Sequence, residues 1–296
     1  MFRPIIAATS FALIAGIAFA QDDVPAVETH DLGGGFYALS GQGGNVGVSA
    51  GEDGVFVIDD QYAQMSDGLL SAIAELSDGP IRYVVNTHWH GDHIGGNENF
   101  AATGAMLVSH DNVRGRMETG LETPMRGDAI PPSPEAALPV ITFNDTATFH
   151  FNGHEARVIH VPHAHTDGDS IIWFADANVL HMGDVLFNGF YPFIDLASGG
   201  SLDGTIAGLE VGLAIADDDT QIIPGHGALA TKADMQAAHD VLVSVRTIIA
   251  PLVAEGMSEE DVVAADPLSA FNGEWGQWFI DGDTMTMIAY RSLSAE

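Results

Sequence analysis

Three imidazoles and one carboxylate fall within six residues of the run Asn86-Thr87-His88-Trp89-His90-Gly91-Asp92-His93-Ile94-Gly95-Gly96. Zinc takes these donor types in small tetrahedral shells. His88 and His90 are two apart, so an extended segment points both to one side. Gly91 lets the chain turn and bring up Asp92 and His93. Four donors are too many for one closed site filled from this loop alone, which suggests a loop shared between two metals. The plainer reading, surface histidines on a polar loop, suits a lone histidine better than this density. Ile81-Arg82-Tyr83-Val84-Val85-Asn86 is short and β-branched and reads as a buried strand. A helix is expected from about Asn97. The cluster therefore sits at a strand end, where rigid backbone aims side chains at one point.

Three later segments supply further donors. Val161-Pro162-His163-Ala164-His165-Thr166-Asp167-Gly168-Asp169 follows a strand, Val179-Leu180-His181-Met182-Gly183-Asp184 is a strand ending in Gly-Asp, and Ile222-Ile223-Pro224-Gly225-His226-Gly227 brings a last histidine. Together with the first run, these motifs resemble the metallo-β-lactamase superfamily, in the expected order and over most of the chain. The resemblance implies that His165 is a ligand, with His163 the alternative and His160 a strand neighbour. It implies that Asp184 bridges, that His181 is packed in the strand, and that His226 is the final ligand. One zinc would take His88, His90 and His165, and the second Asp92, His93 and His226. The expected cofactors are therefore two Zn2+ ions, although manganese or iron can occupy similar sets.

Two dications close together repel. Asp92 and Asp184 offset part of that charge, and a bridging hydroxide offsets more. Zinc lowers the pKa of a bound water towards neutrality, so hydroxide is available to attack a polarised carbonyl. By the resemblance, Asp92 also orients that hydroxide. Asp59, at the end of Val55-Phe56-Val57-Ile58-Asp59, is expected to hold a ligand histidine from behind, with Asp60 or a plain turn acid as alternatives. After Asp184, the stretch Val185 to Phe193 carries four aromatics near the mouth. Asn188 or Tyr191 is expected to hydrogen-bond an oxyanion there, while some of the aromatics simply pack the core.

The chain has 296 residues, enough for one large α/β domain. Arg3, the apolar run Ile5 to Phe19 and Ala18-Phe19-Ala20 read as a signal peptide over residues 1–20. The apolar run is short for the alternative, an uncleaved anchor, and no other segment is expected to span a bilayer. The hydrolase domain is then 21–296, periplasmic or secreted. There are no cysteines, so any metal rests on His, Asp or Glu. Acidic residues outnumber basic ones 41 to 9, for a net charge of -32. Such a surface repels nucleic acid and anionic lipid, leaving a small-molecule substrate as the expected partner. A saline habitat and solubility alone explain the charge equally well.

Strands are expected at Phe36 to Ser40, Asn45 to Ala50 and Val55 to Asp59, with plain Gly-rich turns, after a polar stretch over 21–34 that is at best an ordered lead-in. A helix around Leu69 to Leu76 follows, then strand Ala105 to Ser109 and a helix capped by Asp111. Residues 119–139 hold five prolines and form a long ordered loop or a flap. Ile141 to Phe143, Ala147 to Phe151 and Glu155 to Val161 open a second run of strands, with an Asn152-Gly153 hairpin turn. Helices near Leu202 to Ala216 and Lys232 to Val253 flank a strand at Gln221 to Ile223. Two halves of similar order predict an α/β fold, a four-layer αββα sandwich with the site where strand ends meet. Trp275, Trp278 and Phe279 in the C-terminal region pack on the sandwich or form a dimer contact.

The resemblance implies an exported dinuclear zinc hydrolase acting on a cyclic amide or ester. β-Lactam comes first, because export places the enzyme where such substrates are met. Many β-lactamases of the superfamily carry a cysteine at the bridging position and a lysine soon after. This chain has Asp184, and no Lys or Arg from 185 to 231; Arg126 or Lys232 would have to substitute. Lactonases need no such cation and come second. Thioester hydrolases of the glyoxalase II type share the aspartate bridge but lack the export signal. Persulfide dioxygenases use fewer ligands, and flavo-diiron enzymes need a flavin domain. The non-enzyme alternative is an acidic periplasmic metal-binding protein.

Overall fold

The computed structural model describes residues 26–123, 125 and 128–295, so the expected signal peptide, Pro124 and Arg126 lie outside the described residues. The strands among them are β1 (Glu28–Gly33), β2 (Phe36–Ser40), β3 (Val46–Gly51), β4 (Gly54–Ile58), β5 (Ile81–Val85), β6 (Met106–His110), β7 (Ile141–Phe143), β8 (Thr146–Phe151), β9 (His154–His160), β10 (Ser170–Phe174), β11 (Val179–Phe187) and β12 (Gln221–His226). The helices are α1 (Ser66–Leu76), α2 (Gly91–Ile94), α3 (Asn97–Ala102), α4 (Asp111–Thr119), α5 (Leu202–Ile215), α6 (Lys232–Ala254), α7 (Glu259–Ala264), α8 (Ser269–Trp275) and α9 (Gly282–Ser294).

One sheet runs β1-β2-β3-β4-β5-β6-β7 and the other β12-β11-β10-β9-β8. In the first, β1 to β4 form an antiparallel meander, and β4 to β7 are parallel. In the second, only β11 and β12 pair in parallel. All of β4 is buried, because both of its faces are covered. Phe56 and Ile58 point between the sheets, towards Val158, Ile172 and Phe174. Val55 and Val57 point outwards and pack with Leu69 and Ile73 of α1. Outside the second sheet, α5, α6 and α9 cover Leu180, Met182 and Ile222. The result is the expected αββα order.

Several local expectations change. The polar lead-in contains β1, an exposed edge strand that pairs with β2 across the glycines at 33–35. Ile141–Phe143 does not open the second sheet. It returns alongside β6, pairing Val108 with Ile141, and closes the first sheet. His110, not Asp111, caps α4: its ring accepts from the Asn112 N–H, and Asp111 is already helical. The proline-rich loop is tied by Leu121 pairing with Ile130, and its Ala137 and Leu138 pack with Trp89, Ile94, Val113 and Met117. Helix α6 is, contrary to expectation, long and apolar enough to cross a membrane. It starts at a Thr231–Asp234 capping box and buries Met235, Val241, Leu242, Val245 and Ile249 in the core.

Phe56 holds the inter-sheet layer together, with rings of Phe149, Phe174 and Tyr83 at 5.2, 6.0 and 6.1 Å. Phe56→Ala should cost about 3–5 kcal/mol. This would appear as a lower denaturant midpoint at unchanged slope.

Candidate metal centre

The parallel strand ends bring the donors together. Asp59 follows β4, His88 and His90 follow β5, Asp184 lies within β11, and His226 ends β12. His165 comes from the β9–β10 connection. Asp184 reaches the site because the backbone bends at Gly183, whose φ is +50° and where the β11–β12 register shifts. A side chain at Gly183 would lie 2.8 Å from Thr87. Gly44, in the β2–β3 turn, leaves room for a different neighbour: a Cβ there would lie 2.1 Å from the His93 ring. That turn is therefore part of the site rather than a plain hairpin.

Two donor groups result. His88, His90, His165 and Asp184 form one; Asp92, His93 and His226 form the other. In the first, His165 Nε2 lies 2.8 Å from His90 Nδ1 and 3.4 Å from Asp184 Oδ2, and His88 Nε2 lies 3.7 Å from Asp184 Oδ2. In the second, His226 Nε2 lies 3.3 Å from Asp92 Oδ2 and 3.4 Å from His93 Nε2. Asp184 stands between the groups, with Oδ1 3.1 Å from His93 Nε2 and Oδ2 3.5 Å from His226 Nε2. Zinc–nitrogen bonds of about 2.0–2.1 Å put tetrahedral ligands roughly 3.3 Å apart, which is the scale of these separations.

Most of the inward nitrogens are fixed by a bond at the ring's other nitrogen. His93 Nδ1 donates to Asp59 Oδ2 at 2.8 Å. His88 Nδ1 donates to the Thr87 hydroxyl at 3.1 Å, and that hydroxyl and the Thr87 N–H both donate to Asp59. One carboxylate thus orients a ligand of each group, from a left-handed backbone position with φ +62°. His165 Nδ1 donates to the Phe193 carbonyl at 2.6 Å, and His90 Nε2 donates to Asp195 at 3.0 Å. The His226 ring stacks on Phe187.

The donor set fits divalent cations. His88 Nε2 and Asp184 Oδ1 are buried with no hydrogen-bond partner, as suits atoms that would face a cation. Burial holds the His88 imidazole well below its ordinary pKa, with His93 adding to the effect, and burial takes His165 down to about 4. Both are neutral and ready to ligate. Burial alone would raise the Asp184 carboxyl, but His93, His226, His88 and His165 outweigh it and hold it well below the carboxylate range. Burial is likewise outweighed at His93, raised by Asp184, Asp92 and Asp59, and at His226, raised to about 9 by Asp184 and Asp92. Cations entering the second group must therefore displace protons.

Other expected residues fall elsewhere. Tyr191 is fully buried, its hydroxyl directed to Asn272 Oδ1 at 3.4 Å, so it faces the C-terminal helices rather than a substrate. Asn188 donates its amide to the Ala228 carbonyl at 3.0 Å and does not line the cavity. Neither side chain is placed over the donors, where an oxyanion would form. His163 is exposed and bonds the Gly199 carbonyl, His160 stacks on His110, and His181 is buried with Nε2 on the Asn45 carbonyl. Two positioning residues carried no sequence signal. Asp195 holds His90, and Asn45 donates to the carbonyls of Pro224 and Gly227 on either side of the His226 turn.

A cavity of about 680 Å³ opens over the donors, lined by Tyr62, Asp92, Phe187, Phe193, Trp278 and Phe279 among others. Residues 39–226 match the model of the metallo-beta-lactamase superfamily, and the chain belongs to that family. A hydroxyacylglutathione hydrolase of Methylococcus capsulatus is 31% identical over 147 residues, which cover 44% of this chain and 50% of that protein. A namesake from Polaromonas sp. is 32% identical over 184 residues, 59% of this chain and 62% of that protein. The matches thus span about half to three fifths of these relatives. Among solved structures, the DIM-1 metallo-beta-lactamase superposes with a TM-score of 0.61 at 15% identity, covering 75% of this chain and 99% of that one. The sec-alkylsulfatase Pisa1 from Pseudomonas sp. gives 0.66 at 16% identity, covering 90% and 50%. At these identities the likeness is one of fold.

Asp195→Asn and Asp59→Asn should each weaken metal affinity by about 10–100-fold. Competition with a chromophoric chelator would measure it, and Asp59→Asn should affect both metals, Asp195→Asn chiefly the first.

Proposed function

We propose that the chain is a metal-dependent hydrolase that holds two divalent zinc ions and cleaves an acyl bond in an ester, lactone or thioester. The observation that carries this reading is the seven donors in two groups, joined by Asp184, beneath one open cavity. When bound, such ions supply Lewis acidity and a water that is deprotonated near neutral pH. The residues do the rest. Asp92 lines the cavity and keeps its carboxyl ionised at a pKa of about 2, burial being outweighed by His93 and His226. It can accept a hydrogen bond from the attacking water and set its direction. The phenol on the cavity wall is Tyr62, in the place expected for Tyr191. Burial and the neighbouring Asp92 raise its pKa, so it stays a donor and can bond a developing oxyanion. Asp184, Asp59 and Asp195 hold the ligands still.

The relatives named hydroxyacylglutathione hydrolase support acyl-bond hydrolysis. β-Lactam hydrolysis is the second reading, because the export suggested by residues 1–20 would place the enzyme where such substrates are met. Export to a periplasm or medium belongs to the same proposal and rests on residues 1–20.

Elemental analysis and turnover on one zinc-loaded sample test the reading, with a 4-nitrophenyl ester, a γ-lactone, an acyl-glutathione thioester and a chromogenic cephalosporin. Two metals per chain are expected, with acyl turnover that falls at least about a hundred-fold on chelation or in His88→Ala. Cephalosporin turnover alone would select the second reading. Metal without any turnover would make this a metal-binding protein.

A further inference from the structure

The cavity wall continues beyond the stretch that matches the family. Residues 39–226 carry the match, yet Trp278 and Phe279 line the mouth of the site. They are 44% and 43% exposed, two large apolar rings side by side, 4.5 Å apart. Their position is built. Trp275 and Ile280, on either side, are buried anchors in the core. The Trp275 carbonyl accepts from the Tyr191 N–H at 2.8 Å, and Gln277 Nε2 donates to the Asn272 carbonyl at 2.7 Å. Trp278 lies against the rings of His226 and Phe190, at 5.3 and 4.5 Å, and Phe279 against Phe193. Ile130, 38% exposed, and Met125 extend the apolar lining from the proline-rich loop. No lysine or arginine is among the described lining residues. Exposed apolar area of this kind, continuous with a polar reaction centre, marks a binding surface.

We propose that Trp278 and Phe279 form a specificity wall for an uncharged substrate that carries an apolar alkyl or aryl arm, the arm lying against them and Phe193 while its carbonyl reaches the donors. The proposal rests on the hydrolase reading for the carbonyl and on the wall alone for the arm. It also suits a chain of net charge -32 with no cation among the described lining residues: the arm is recognised by burial, and anionic arms are repelled.

The test uses the full zinc-loaded chain with 4-nitrophenyl esters from acetate to decanoate and the anionic 4-nitrophenyl hemisuccinate. Catalytic efficiency should rise with arm length, through KM, by up to about four-fold per methylene. W278A and F279A should lose more the longer the arm, at least about ten-fold at octanoate, and W278F should recover much of the loss. A parallel measurement is free of catalysis: calorimetric binding of N-octylpyrrolidinone, an uncharged lactam with an apolar arm, against N-methylpyrrolidinone. The octyl compound should bind more tightly than the methyl one, and W278A should remove most of the difference. A flat arm-length profile, preference for the hemisuccinate, or an equal loss in W278A on every arm overturns the wall. Binding of the octyl lactam that depends on Trp278, without turnover of any ester, keeps the wall and overturns the hydrolase reading.

Discussion

A carboxylate buried among four imidazoles is the constraint on which the rest depends. Asp184 is 4% exposed and lies within 3.7 Å of His88, His93, His165 and His226. Left alone at that depth, its charge would be costly. The histidines compensate it in part, and a pair of cations would do so fully. The bend at Gly183, the β11–β12 pairing and the outward tethers of the rings all keep this one group where both donor sets can share it. Removing any tether leaves a ring free to turn away from a charge that still needs it.

The same constraint explains why the supporting residues are acids and carbonyls. Asp59 serves His93 directly and His88 through Thr87, so the two groups cannot drift apart without breaking bonds to one carboxylate. Asp195 also accepts from Ser198, and Trp89 donates its indole N–H to that serine. The loop that follows β5 is thereby fixed at both Trp89 and His90. Rigid elements carry the donors, and short side-chain bonds set their final angle.

Much of this was legible in the residues. The donor histidines and aspartates lie in short runs, and the likeness of those runs to the superfamily's motifs singled them out. The sheets announce themselves as β-branched runs separated by glycine, and β2, α1 and α5 lie close to where those patterns put them. What was not legible depends on distance along the chain. Asp195 meets His90 across 105 residues, and Asn45 meets Pro224 across 179; no local pattern encodes such pairs. Asn188 and Tyr191 misled because proximity in sequence to Asp184 is not proximity in space. β11 continues to Phe187, and the chain then turns Tyr191 into the C-terminal helices. β1 was missed because an exposed edge strand needs no apolar alternation.

The donors are divided between the two sheets' halves of the chain. His88, His90, Asp92 and His93 belong to the first, and His165, Asp184 and His226 to the second. Neither half can assemble a complete shell for either ion. Cations bound there are therefore cross-links between halves, and their binding free energy adds to the cohesion of the sandwich in proportion to the logarithm of free metal concentration. A chain that binds cations there would in this sense register its own assembly: undocked sheets could not retain the metal, and loss of the metal would remove one of the seams that keep the sheets docked.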